Sequence, residues 1–355
     1  MKKNAKQVLL LPQFKKFISA SKTGRRTQPS GKRITKETVE QYTMASRLIT
    51  EFELSTGKPL LITFINRASL RDQQKENRYW DAFYRQFRDF LYRDKKYYDA
   101  YAGAVFKIIK TFFNYLAKEK SLPVGNFHKR FRIPISNIAP IVLTPQQLRF
   151  LVLDQQFDKS LSRHLKRTKD IFVFGCTVGL RYSDLMRLKL KNIHHSQEGA
   201  LLSIITQKTT TEVQIPLPDY ALSILKTYKS KYGSNLLPCL SATNFDLQIK
   251  QIIQLAGWIH PLPKIRFREG KPIEIKRKNG QSFRFCDHMS AHTMRRTAIT
   301  TLLMLGVPEM MVRRISGHAG GSKEFYRYVC LVQDYLNVEV RRAQQKLLTE
   351  IQLKK

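Results

Sequence analysis

Residues 290–329 read SAHTMRRTAITTLLMLGVPEMMVRRISGHAGGSKEFYRYV. The opening part has the spacing of a helix that stops at Gly306. His292 and Arg295 stand three apart, hence on one face of its first turn. A histidine and an arginine projecting together near a helix N-terminus suit a phosphate. Pro308 then opens a short helix, Gly317 closes it, and His318 follows directly. The turn with Gly320 and Gly321 leads to Phe325, Tyr326, Arg327 and Tyr328.

Working outward, TKDIFVFGCTVG (168–179) is an apolar helix ending near Gly179. Arg181 lies just past that end, and Ser183 suits the cap of a following helix. A guanidinium at such a rigid junction is placed for bidentate contact with phosphate. Downstream, ALLSIIT (200–206) and EVQIPL (212–217) flank QKTTT and predict a β-hairpin with Lys208 in its turn.

Breaking a phosphodiester needs a nucleophile, cations that hold the added negative charge, and an acid for the leaving oxygen. The sequence has no HExxH and no acidic cluster of the two-metal kind. Cys286, His288 and His292 are a conceivable zinc trio, but no fourth ligand accompanies them. Each of the three segments is a weak signal by itself. Their order and joint presence are specific.

In that combination the chain resembles the tyrosine recombinases, the phage integrase family. TVGLRYSDLMRL (177–188) resembles the family's first arginine box, and TQKTTTEVQIPL (206–217) its lysine hairpin. SAHTMRRT (290–297) and ISGHAGGSKEFYRYV (315–329) resemble the second arginine box and the tyrosine box. The likeness is close over residues 144–335 and looser over 34–120. It implies a catalytic set of Arg181, Lys208, His292, Arg295, His318 and Tyr328. Tyr328 would attack the phosphate and form a 3′-phosphotyrosine bond. Arg181 and Arg295 would clamp the oxygens, and His318 would add a hydrogen bond. His292 would take the phenol proton, and Lys208 would protonate the leaving 5′ oxygen. Neither metal nor ATP is implied. Asp184 reads as a group orienting Arg181 or a neighbour. One departure concerns the nucleophile. Tyr328 stands ten residues after His318 and Tyr326 eight, one to either side of the usual spacing. The FYRYV ending aligns Tyr328 with the family's tyrosine. The resemblance also implies double-stranded DNA core sites and a homotetramer holding two duplexes. Accessory DNA-bending proteins are left open.

The rest of the sequence fits that frame. The 355 residues suggest about two domains. Lys and Arg number 63 against 27 Asp and Glu, a net charge of +36. Such a polycation calls for a polyanion, nucleic acid above all. No long apolar run and no apolar leader before Pro12 point to a membrane or to export, so a cytoplasmic location beside the nucleoid is expected. Cys176, Cys239, Cys286 and Cys330 lie far apart and read as buried, reduced thiols.

The expected fold is mainly α with a small β-sheet (α+β). Residues 1–33 read as a basic arm. Residues 34–120 read as a helical core-binding bundle clamping DNA, with apolar stripes such as Trp80, Phe83, Phe87 and Phe90. Residues 121–143 read as a linker. Residues 144–355 read as the catalytic domain, opened by a capping box at Thr144, Pro145 and Gln147. Residues 264–285 suggest a basic hairpin turning near Asn279-Gly280, and 331–355 a C-terminal helix bearing Leu336, Val340, Leu347 and Ile351. Three competing functions are a non-enzymatic DNA-architectural protein, which gives no reason for six ordered groups, a type IB topoisomerase, which shares the nucleophile, and an RNA-binding protein, for which the sequence has no RNP-like aromatic strand motif.

Overall fold

The computed structural model describes residues 6–65, 69–134, 138–197, 199–228, 235–318, 321, 325–333, 337, 340, 341, 344 and 345. The chain is mainly helical with small antiparallel sheets. It divides into two units, residues 1–137 with 265–275 and residues 138–264 with 276–355.

In the first unit, β1 (Gln7–Leu9) leads into α1 (Leu10–Lys22) and pairs antiparallel with β2 (Leu61–Thr63), Val8 opposite Ile62. Between them runs α2 (Lys36–Thr56), capped by Thr35, whose side chain accepts from the Thr38 N–H. Its buried stripe holds Val39, Tyr42, Ile49 and Phe52. Then come α3 (Leu70–Asp89) and α4 (Asp99–Asn114), each ending in a wider π turn, Phe90–Asp94 and Tyr115–Glu119. Trp80, Phe83 and Phe87 of α3 face Phe52 and Phe113 edge to face.

Two segments expected to be open chain belong to this core. The arm expected over residues 1–33 contains α1, whose Leu10, Phe14 and Phe17 are at most 1% exposed. Phe14 and Phe17 lie against Phe112, and Tyr42 lies against Phe17. The Lys-rich flank hid this apolar face. The expected linker, 121–143, contains a turn of 3-10 helix, Phe127–Arg130. Phe127 stacks on Trp80 at 4.8 Å, and Phe131 stacks on Tyr84 at 5.4 Å. Here aromatic burial outweighs the loop chemistry of the prolines.

The second unit opens with α5 (Pro145–Leu153), and the Thr144–Gln147 capping box is fully formed. Next come α6 (Gln155–Ser160), α7 (Arg163–Val178) and α8 (Tyr182–Leu185). A three-stranded antiparallel sheet follows, in the order β3 (Ile193–Ser196), β4 (Gly199–Ile205), β5 (Glu212–Leu217). The β4–β5 hairpin is the expected one, and its alternating burial marks a sheet with one covered face. The chain continues through α9 (Asp219–Tyr228), α10 (Ala242–Leu255), α11 (Ala291–Met304) and α12 (Glu309–Ser316). The apolar α7 runs through the core, buried along most of its length.

The basic hairpin is shorter than expected. Its strands are β6 (Lys264–Arg268) and β7 (Lys271–Ile275), and the turn is Glu269-Gly270. Both turn residues have positive φ, 53° and 77°, as a two-residue type I′ turn requires. Asn279-Gly280 makes a separate turn further on, closed by Gly280 N–H to the Arg277 carbonyl. Asp99 fixes the hairpin tip. Its carboxylate accepts from Glu269 N–H at 2.8 Å, Gly270 N–H at 3.0 Å and the Tyr92 hydroxyl at 2.7 Å. Arg266 and Arg268 lie over the Tyr98 ring at 5.2 and 4.9 Å.

Two further expectations need correction or bounds. Cys176 and Cys286 are buried, but Cys239 and Cys330 are exposed, against the expectation of four buried thiols. In the expected C-terminal helix, Leu336, Leu347 and Ile351 lie outside the described residues, and Val340 is exposed. No helix among the described residues is long and apolar enough to cross a membrane.

If 127–131 is core rather than linker, Phe127→Ala should destabilise the first unit by about 3–5 kcal/mol, the usual cost of truncating a buried phenylalanine. Urea unfolding followed by Trp80 fluorescence in a Trp258→Phe background measures it. An unchanged midpoint would return the segment to the linker.

Candidate active site

The second unit brings the arginine boxes together by packing α11 against α7. Two glycines, one in α7 and one at its C-cap, allow this. A Cβ on Gly175 would come within 2.3 Å of the Met294 sulfur, and one on Gly179 within 3.1 Å of the Ala298 Cβ. Gly179 also ends α7 in the left-handed conformation, φ 64°.

That approach puts Arg295 beneath the end of α7. Its side chain is buried, with the residue 2% exposed. Nη1 donates to the Gly179 carbonyl at 3.0 Å, and Nη2 donates to the Ser316 carbonyl, the last of α12, at 2.6 Å. Nη2 also lies 3.3 Å from both ring nitrogens of His318. Arg181 follows Gly179 by two residues. It occupies the cap of α8 with extended backbone, and Ser183 lies inside that helix instead of capping it. The short α8 starts two residues earlier than the sequence suggests. Arg181 Nη1 is buried and has no hydrogen-bond partner among the described residues.

His318 joins the two arginines. It follows the left-handed Gly317 that ends α12. Its Nδ1 is 2.8 Å from the Ser316 hydroxyl. Burial and the positive charges of Arg295, Arg181 and Arg313, with His292 nearby, hold its pKa down to about 4. The ring is therefore neutral at pH 7.

Tyr328 and Tyr326 part company on the helical stretch 325–333. Phe325, Tyr328 and Val332 are inside, packed with Ile299, Leu303 and Val312. The Tyr328 ring is 6.1 Å from the His318 ring and 6.0 Å from Phe325. Tyr326 is 53% exposed on the opposite side. Arg313 fixes the start of this helix, its guanidinium 4.1 Å above Phe325 and anchored on Glu309.

Lys208 is exposed in the turn between β4 and β5. Thr206 closes that turn, its hydroxyl meeting that of Thr209 at 2.8 Å and the Thr211 carbonyl at 3.1 Å. The turn rests near Gly317, where an added Cβ would meet Val213, Thr206 and Thr209. Asp184 ties α8 to the same turn. Its Oδ1 accepts from Gln207 N–H at 2.9 Å and from Arg187 at 2.8 Å. Of the two roles the sequence allowed for Asp184, its side chain serves a neighbour: the described carboxylate hydrogen bonds go to Arg187 and the lysine turn, not to the Arg181 guanidinium.

His292 stands exposed in the first turn of α11, one turn before Arg295. Of its companions in the zinc trio, Cys286 is buried and His288 Nε2 hydrogen-bonds the Leu262 carbonyl at 2.8 Å. Among the described residues no group of three or more His, Cys, Asp or Glu is placed for a metal. Arg181, Arg295, His318 and Tyr328 thus converge, with the Lys208 turn against Gly317. Sequence reasoning missed Ser316 and Arg313. The signals were a hydroxyl two residues before His318 and a cation on the inner face of α12.

The family profile of the phage integrases matches residues 143–331, more than half of the 355 residues. No curated protein matches the sequence closely enough to count as a relative. Among solved structures, one neighbour is the XerH site-specific recombinase bound to palindromic difH substrate in a post-cleavage complex. It has a TM-score of 0.57, 14% identity, 90% of this chain covered and 80% of that one. The Tn1549 transposon integrase in complex with circular intermediate DNA has a TM-score of 0.55 at 13% identity, with 90% and 95% covered. A lambda integrase tetramer bound to a Holliday junction has a TM-score of 0.53 at 15% identity, with 89% and 79% covered. At such identities the likeness is one of fold.

The depressed pKa of His318 has a sign. The unfolded imidazole binds a proton near pH 6.5 and the folded one near 4. Stability contributed by the neutral ring is therefore present above pH 6.5 and lost as pH falls towards 4. NMR should show two histidines titrating near pH 4, His128 and one that is absent in His318→Gln. A value near 6.5 for the latter would mean the three arginines are not gathered around it.

Proposed function

Since the chain belongs to the phage integrase family and is a site-specific tyrosine recombinase, we propose that Tyr328 cuts duplex DNA by forming a 3′-phosphotyrosine bond at a phosphate clamped by Arg181 and Arg295. The observation that carries this reading is the buried Nη1 of Arg181, without a hydrogen-bond partner among the described residues, near His318 and Arg295. A buried donor without an acceptor costs about 1–3 kcal/mol, more when charged. A non-bridging phosphate oxygen supplies the acceptor and the countercharge together.

Tyr328 loses its proton and its oxygen attacks phosphorus in line with the departing 5′ oxygen. His292, in the first turn of α11, takes the phenol proton. Lys208, on a turn braced by Asp184 and Thr206, delivers a proton to the 5′ oxygen. His318 adds a contact to the phosphate. The phosphotyrosine keeps the bond energy, so a 5′-hydroxyl from a second strand reverses the attack and seals the new junction. Double-stranded DNA is the partner. Four protomers around two duplexes are supported by the arrangement of the lambda integrase neighbour on a Holliday junction. For the domain roles, residues 34–120 serve as the core-binding clamp and 144–355 carry the chemistry. The net charge of +36 supplies phosphate neutralisation along both.

A duplex nicked close to the cut site traps the covalent product. Wild type should yield a protein–DNA band and Tyr328→Phe none, whereas Tyr326→Phe retains it. Arg181→Ala should slow cleavage about 10²–10³-fold, the usual cost of one charge-stabilising donor. Its duplex affinity by gel shift should stay within a few-fold. A covalent band persisting in Tyr328→Phe would reject this nucleophile. Affinity should also fall linearly in log–log form with salt, each lost phosphate contact reducing the slope by about 0.9.

A further inference from the structure

Ser316 is 2% exposed and touches two of the site's groups at once. Its main-chain carbonyl accepts from Arg295 Nη2 at 2.6 Å, and its hydroxyl lies 2.8 Å from His318 Nδ1. The hydroxyl has one proton, and that proton has a shorter destination, the Val312 carbonyl at 2.6 Å. Donating there leaves the hydroxyl oxygen as acceptor towards His318. Nδ1 must then carry the ring hydrogen, and Nε2 must carry the lone pair. Arg295 Nη2 lies 3.3 Å from both ring nitrogens and does not choose between them, so the Ser316 hydroxyl sets the tautomer.

This tautomer has a consequence for phosphate. A phosphate oxygen needs a donor, and the neutral ring has none at Nε2. We propose that Ser316 is a positioning residue that locks His318 in the Nδ1–H form, so that His318 contacts the DNA phosphate only after Nε2 takes up a proton from solvent. The inference rests on reading the site as a phosphate clamp.

The charged and titratable groups facing the ring come from every element around it. They are Arg295 and His292 of α11, Arg181 at the start of α8, Arg313 of α12 and Tyr328 of the 325–333 stretch. Without DNA, burial first and then the three guanidiniums keep the ring unprotonated at neutral pH. An incoming phosphodiester cancels much of that repulsion, and the extra charge of the transition state cancels more. The proton balance is simple. One solvent proton adds to Nε2 as phosphate enters, and it returns when the strand is resealed and released. His318 then gives its Nε2 hydrogen bond as a cation, about twice as strong as the neutral kind.

Two measurements on the full chain test this. The first is nitrogen NMR of histidine-labelled protein without DNA at pH 7, with His318 assigned from His318→Gln. Wild type and Ser316→Thr should show Nδ1–H at His318, and Ser316→Ala should shift towards Nε2–H. Ser316→Ala keeps the carbonyl that binds Arg295, so the change is confined to the hydroxyl. An Nε2–H ring in the wild type, or an unchanged ring in Ser316→Ala, overturns the proposal. The second is the pH profile of single-turnover cleavage on the nicked duplex. Wild type should lose rate on the alkaline side as the bound His318 deprotonates. Ser316→Ala should be about tenfold slower at pH 6 yet flatter towards pH 9, with unchanged duplex affinity, and Ser316→Thr should restore the wild-type shape. Parallel profiles for wild type and Ser316→Ala overturn the proton uptake. Absence of any covalent product from wild type would instead remove the cleavage reading beneath it, while the tautomer is judged by NMR alone.

Discussion

A guanidinium sealed beneath the surface, held by carbonyls at the ends of two helices, organises the second unit. Arg295 bonds Gly179 at the end of α7 and Ser316 at the end of α12. Taking a cation out of water costs several kcal/mol unless something answers its charge. Helix C-termini carry partial negative charge and unsatisfied carbonyls, so two of them together answer part of it without a carboxylate that would compete with phosphate. The same bonds fix where the two helices stop. Arg181 begins two residues beyond one end and His318 two residues beyond the other's last carbonyl. Arg295 is therefore the brace that positions its neighbours.

Much of this was legible beforehand because it is local. Helix stripes in α2, α3 and α4 follow from spacing, and the Thr144 cap and the β4–β5 hairpin follow from short-range chemistry. The six catalytic candidates came from the order of boxes rather than from any one of them. What escaped notice depends on contacts far apart in sequence. Phe127 and Phe131 sit among prolines and cations, and only their stacking on Trp80 and Tyr84 reveals them as core. Leu10, Phe14 and Phe17 were masked by flanking lysines. The choice between Tyr326 and Tyr328 was in fact available locally. Phe325, Tyr328 and Val332 share the 3.6-residue face that Tyr326 lacks.

The acidic residues show the other side of the strong basic excess. Several are engaged inside the protein. Asp99 binds backbone amides, Asp184 braces the lysine turn, Asp287 caps its own 3-10 turn, and Glu76 holds the Trp80 indole at 2.7 Å. Asp158 and Asp170 bracket Lys169. Carboxylates used in this way contribute to folding and little to the outer field, which the unpaired lysines and arginines then dominate. A basic surface here is the product of both numbers and placement.

The anchoring of the 264–275 hairpin has an evolutionary corollary. Asp99 grips the tip through the amide groups of Glu269 and Gly270, which every residue but proline possesses. Such a grip is blind to side-chain identity, apart from the backbone angles that the tip demands. Mutations along the outward face of the strands can accumulate without loosening the attachment, which makes this element a natural place for descendants of the protein to diverge in what they touch.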